Sequence, residues 1–164
     1  YFPGKADILT ALFRRAADRL SADTAVILAA NADPATALNM LVHSYVVRSL
    51  DHPGIDSLYF TERPNLPPAD RVLLRNMQRA TVDTWVEVLT AAHADLSHRD
   101  ARFVVQAAFA LVVDVGVLAG QGDAGTAGAA MEALMTAVLS MRTGPGAADR
   151  DAVTDRSKSV LPIR

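Results

Sequence analysis

The sequence predicts an all-α protein of about six helices, and three observations predict it. Apolar residues recur at helical spacing: Ile8, Leu9, Leu12, Phe13, Ala16, Ala17 and Leu20 share one side of a 3.6-residue repeat, with Arg14, Arg15, Asp18 and Arg19 opposite. Alanine and straight-chain residues, which lose little rotamer freedom in a helix, dominate an apolar share of 51 % that includes a single Trp. Pro and Gly punctuate the gaps between periodic segments, as in Asp33-Pro34, His52-Pro53-Gly54 and Asn65-Leu66-Pro67-Pro68. At 164 residues the chain has the size of one domain, enough to bury roughly two thirds of its unfolded surface.

The first helix starts at Lys5, runs on through Val26, Ile27 and Leu28, and breaks before Asn31. Asp33 suits an N-cap and Pro34 the first helical position, which opens a second helix over about 34–50 with Leu38, Leu41, Val42, Tyr45, Val46 and Leu50 as its apolar set. His52-Pro53-Gly54 ends it, and a short helix follows over 55–61. Pro68 starts a long helix to about residue 93. The next, over 98–119, is preceded by Ser97, whose hydroxyl can accept from the free amides of the first turn, with Asp100 in the acid position three residues on. Gly120-Gln121-Gly122-Asp123 turns the chain into a last helix over 124–141, with Met131, Leu134, Met135, Val138 and Leu139 periodic on one face. Residues 143–164 hold too few apolar side chains to offset their ordering entropy and read as a flexible tail.

A net charge of −2 and a pI near 6.1 exert no global pull toward nucleic acid, so any DNA contact is local. The absence of cysteine excludes a disulfide framework and a thiolate metal site. The apolar run over 103–119 is interrupted by Gln106 and Asp114 and falls short of a bilayer span, so it reads as a core helix and no membrane association is expected. Tyr1 to Lys5 has neither the basic start nor the apolar stretch of a signal peptide, and the expectation is a cytoplasmic protein.

Tyr1-Phe2-Pro3-Gly4-Lys5, followed by a helix opening Ala6-Asp7-Ile8-Leu9, resembles the segment that closes the helix-turn-helix head of TetR/AcrR-type (tetracycline-repressor family) transcriptional regulators. The resemblance implies that residues 1–5 are the remnant of a DNA-binding head. Phe2 would plug the small core of that head, Gly4 would permit the turn, and Tyr1 and Lys5 would be the DNA-binding remnants, with Lys5 meeting a phosphate at a helix N-terminus. The two helices that come before this segment in the family are not in this sequence, so operator DNA is expected to be a partner of the parent protein. Glu62-Arg63-Pro64-Asn65-Leu66-Pro67, Asp70-Arg71 and Trp85 with Val86 and Leu89 are similar to actinobacterial regulators of lipid and sterol catabolism. The resemblance reaches about residue 142. It implies a ligand-binding and dimerisation domain over 6–142, a homodimer built from the last two long helices, and a repressor that leaves DNA when it binds a small hydrophobic effector, an acyl-CoA or sterol-derived molecule among them. It implies no cofactor.

The residues themselves also point to an interface. Ala127, Gly128, Ala130 and Ala133 give the last helix a smooth surface beside Met131 and Leu134, and Phe103, Phe109, Val113 and Val117 supply bulk on the helix before it. The alternative is burial of these residues within one subunit. A ligand cavity is expected between the second, short, long and penultimate helices, where bundles usually hold one. Its candidates are the polar and aromatic residues that interrupt apolar faces: Asn39, His43, Tyr59, Phe60, Asn76, Arg79, Asp83, Trp85 and Gln106. For His43 the competing reading is a hydrogen-bonded core histidine. Arg71, Arg75 and Arg79 share one helix face with Asp83, either as a solvated stripe with one ion pair or as a guanidinium site for an acidic ligand such as an acyl-CoA phosphate. Asp114, inside an apolar run, is expected in a buried pair with an arginine such as Arg48 or in a dimer contact.

Enzyme readings fare poorly. The chain has no Gly-rich phosphate loop, no His-Glu metal spacing on one helix and no Gly-x-Ser-x-Gly elbow, and His93 and His98 straddle a helix break. Two rivals to the regulator remain: a stand-alone helical ligand-binding or interaction module without DNA binding, and a small bundle enzyme with a site around His43 and Asp114.

Overall fold

The computed structural model describes residues 4–30, 32–119 and 124–142, with side chains through 116 and again from 126. Tyr1, the turn at 120–123, the side chain of Val117 and the tail over 143–164 therefore lie outside the described residues. Six α-helices and no strand occur among the described residues: α1 Lys5–Ala29, α2 Pro34–Asp51, α3 Ile55–Glu62, α4 Pro68–Ala92, α5 His98–Ala119 and α6 Ala124–Leu139, with a 3₁₀ turn Arg63–Asn65 after α3. The all-α expectation of about six helices holds. None of the described helices is long and apolar enough to cross a membrane.

Local chemistry sets the helix ends. Asp33 accepts from the Thr36 amide at 3.1 Å while Pro34 occupies the first helical position, so one orphan donor is satisfied and another does not exist. Gly54 takes a left-handed φ of 85° between α2 and α3, a conformation that costs a side-chain-bearing residue. Ser97 caps α5 reciprocally: its Oγ accepts from the Asp100 amide at 3.1 Å and donates to Asp100 Oδ2 at 2.7 Å. The last helix ends at Leu139, two residues before the periodicity does. Arg142 then fastens the chain to the α4–α5 turn through Asp95 Oδ2 at 2.8 Å and His93 Nδ1 at 3.0 Å.

Apolar burial divides into two clusters. The larger one joins α2, α4, α5 and α6 through Leu41, Val46, Trp85, Leu89, Val105, Val112, Met131 and Met135. The smaller one, Leu9, Phe13, Tyr59, Leu66 and Leu74, holds the first half of α1 against α3 and α4. Polar pairs brace the same elements. Lys5 Nζ meets Glu62 Oε1 at 3.0 Å, and Thr10 donates to Asp70 Oδ2 at 3.3 Å.

Several residues sit differently from expectation. His43 is not a core histidine: its side chain is 67 % exposed and its Nδ1 lies 2.8 Å from Glu132 Oε1, a surface link between α2 and α6. Asp114 is exposed, not buried, and has no ion-pair partner within reach among the described residues. Met131, at 1 % exposure, is already enclosed within its own chain and has no area left to offer a partner. A methyl group on Gly128 would stand 3.3 Å from Leu50 Cδ1, so this glycine serves the approach of α6 to α2 inside the chain.

Candidate functional site

A cleft of about 730 Å³ opens where the two clusters fail to meet. Five helices wall it: α1 with Phe13, Ala16, Ala17 and Leu20, α2 with Tyr45 and Arg48, α3 with Ile55, Asp56, Tyr59 and Phe60 among others, α4 with Leu74, Met77, Gln78 and Val82 among others, and α5 with Arg102, Gln106, Phe109, Val113 and Asp114 among others. The volume is that of a small-molecule site, and the wall is mostly apolar and aromatic. The sequence expected α2, α3, α4 and α5 here. The α1 wall is an addition that follows from the small residues Ala16 and Ala17, which leave space where larger side chains would close the gap.

Aromatic rings organise one side of the cleft. Tyr45 and Phe109 stack with centroids 4.7 Å apart and planes at 12°, and Trp85 meets Phe109 edge-on at 4.9 Å and Tyr45 at 5.8 Å. Across the cleft Phe13 and Tyr59 form a second edge-to-face pair at 5.2 Å, and Tyr59 donates to Gln78 Oε1 at 3.4 Å. These contacts fix the rings in place before any ligand arrives.

Two charged residues mark the ends of the α5 wall, and Arg75 and Arg79 of α4 line the cleft as well. Arg102 and Asp114 stand twelve residues apart on α5, about 18 Å along the helix axis. At the first end Arg102 bonds Asp83, tying α5 to α4. At the other, the Arg48 guanidinium lies 4.9 Å from the Tyr45 ring centroid, and its Nε has neither solvent access nor a hydrogen-bond partner. Burial pushes the Asp56 carboxyl above its ordinary value, with Arg48 pulling the other way. Burial likewise raises the Tyr45 phenol, helped by the Asp56 charge and opposed by Arg48.

Of the nine residues expected at a ligand site, Tyr59, Phe60, Arg79 and Gln106 line the cleft. Asn39 and Asn76 are exposed elsewhere, and His43 is engaged with Glu132 on the surface. Asp83 holds Arg102 from outside the lining, so it does not pair with its own arginine stripe. Trp85 is fully buried behind Tyr45 and Phe109, and its indole Nε1 is unpartnered. Two residues expected at a dimer face, Phe109 and Val113, are cleft residues instead. Phe103 is 66 % exposed and Leu134 45 %, while Ala130 is exposed and Ala127 partly so. Lys5, expected at a phosphate, is paired with Glu62.

Sequence reasoning missed Phe13, Tyr45 and Asp56 as cleft residues and named Arg48 only as a partner for Asp114. One signal was available. Six residues separate Phe103 from Phe109, about one and two-thirds turns, so the two rings cannot share a helix face. No family model matches the chain, and no curated protein matches it.

Proposed function

We propose that this chain is the effector-sensing and dimerising core of a TetR-type transcriptional regulator, with the cleft as its effector site. The observation that carries the reading is the cleft of about 730 Å³ with α1 as one wall. The segment that resembles the end of a DNA-reading head leads directly into α1, and Phe13, Ala16, Ala17 and Leu20 on that same helix face the cleft. A ligand that wedges between these side chains and the Tyr45–Phe109 stack displaces a helix that also carries the head. In a pair of such chains, this changes the distance between two heads.

The energetic demand is modest. An effector that favours the non-operator arrangement by ~1 to 3 kcal/mol weakens DNA binding about 5- to 150-fold. Pair formation is supported by the apolar and small residues that α5 and α6 leave open, Phe103, Ala130 and Leu134.

Thermal-shift screening of the chain against acyl-CoAs, sterol acids and small aromatics tests the effector site. A ligand present at a hundred times its Kd stabilises the fold by about 2.7 kcal/mol. Failure of all three classes to raise the melting temperature removes the effector reading. With the upstream coding segment restored, operator DNA retained without ligand and released with it supports the regulator, whereas ligand binding with no DNA retention supports a stand-alone carrier.

A further inference from the structure

The cleft has a guanidinium with an unpartnered nitrogen at one end and a mostly apolar wall. Of the four arginines in its wall, Arg102 is taken by Asp83, and Arg75 and Arg79 are exposed on α4. Arg48 is different. It is partly buried, its Nε is sealed and unpartnered, and no carboxylate stands within ion-pair distance of it among the described residues. A guanidinium presents a planar fork of donors that suits a carboxylate. Two carboxyls, Asp56 and Asp114, line the same cleft, and neither comes within ion-pair distance of Arg48. Asp56 is partly buried and Asp114 is exposed to water.

We propose that the cleft takes an elongated amphipathic organic acid, whose anionic group seats on Arg48 and whose apolar body lies along Tyr45, Phe109 and Phe13. The proposal rests on the reading of the cleft as a ligand site and adds the charge and shape of what enters. An anion in front of Arg48 completes the planar fork that Tyr45 supports from below, the geometry in which guanidinium and carboxylate bind best. A neutral hydrocarbon fills the aromatic channel but leaves the buried Nε as it is. A cation meets a fixed positive charge in low dielectric. The spacing of about 18 Å between the charged ends of α5 favours a long ligand over a compact one.

Three probes of equal chain length test this on the full chain: decanoate, decanol and decyltrimethylammonium, each titrated by calorimetry and followed by the fluorescence of Trp85, the single tryptophan, which abuts Phe109. Decanoate is expected to bind at least about tenfold more tightly than decanol, with the ammonium weakest. Arg48→Met is expected to bring decanoate down to the level of decanol while decanol affinity is retained. Should Arg48→Met fail to fold, Arg48→Lys keeps the charge without the fork, and the decanoate-to-decanol ratio is expected to fall; an unchanged ratio overturns the proposal. Equal affinity of the three probes for the unmodified chain overturns the anionic selectivity and leaves the ligand site standing. Tightest binding of the ammonium overturns it in favour of Asp56 and Asp114. Binding of none of them overturns this proposal and the ligand-site reading together.

Discussion

Replacing Phe103 by Glu separates a dimer face from an ordinary exposed ring. Phe103 projects from α5 at 66 % exposure, so the single chain gains little from it. An aromatic side chain presents about 200 Å² for burial, of which roughly two thirds, about 130 Å², is open here. Covering that area at ~25 cal/mol per Å² is worth about 3 kcal/mol per copy. In a two-fold pair the residue occurs twice, which sets an upper value near 6 kcal/mol, and incomplete conversion of area into affinity reduces it. Phe103→Glu is therefore expected to weaken self-association by about 3 to 6 kcal/mol, two to four orders of magnitude in the dissociation constant. Sedimentation equilibrium over a wide concentration range measures it. Thermal melting of the monomeric species serves as the control, because a surface substitution shifts stability by only about 0.5 kcal/mol. Self-association of the variant equal to that of the parent chain refutes the assignment of this face, and a parent chain that stays monomeric throughout refutes pair formation itself.

Other outcomes follow from single contacts. Leu89→Ala empties a position with 0 % exposure in the larger core cluster, and urea melts are expected to show a loss of about 2 to 5 kcal/mol; a loss below 1 kcal/mol would mean the core is not closed there. Ser97→Ala removes the acceptor of the Asp100 amide and is expected to cost about 1 kcal/mol by the same assay, whereas an unchanged midpoint would show that α5 does not depend on its cap. Asp56→Asn is expected to stabilise the chain at neutral pH. Because burial holds the Asp56 carboxyl above its unfolded value, folding is favoured while the acid is protonated, and that advantage is lost as pH rises through the raised folded value. The gain from Asn should therefore appear at neutral pH and vanish below the unfolded value of about 4. A gain that persists at low pH would point to a cause other than the charge.

The helices were legible in the sequence because their causes are local. The 3.6-residue period of α1, the Asp33-Pro34 start of α2, the Gly54 break and the Ser97–Asp100 cap each involve residues within one or two turns of each other, and all recur in the structure. The end of the last helix was less legible. Its apolar period continues past Leu139, but the chain leaves the helix there and Arg142 turns to Asp95, a partner 47 residues away.

The site was only partly legible, for a related reason. Tyr59, Phe60, Arg79 and Gln106 were found because polar or aromatic residues on apolar faces attract notice, yet the same rule selected Trp85, which is packed behind the cleft, and His43, which is on the surface. An isolated helix with apolar residues on more than one side does not specify which side meets solvent, a neighbouring helix or a cavity. Sequence by itself determined that the chain is built of helices and where most of them start and stop, since backbone geometry and capping are settled within a few residues. Only the tertiary structure decided that Phe109 and Val113 face the cleft while Phe103 faces outward, and that the Arg48 Nε is left without a hydrogen-bond partner. Those outcomes depend on how six helices divide their apolar surface between two clusters, and that division is a property of the whole chain.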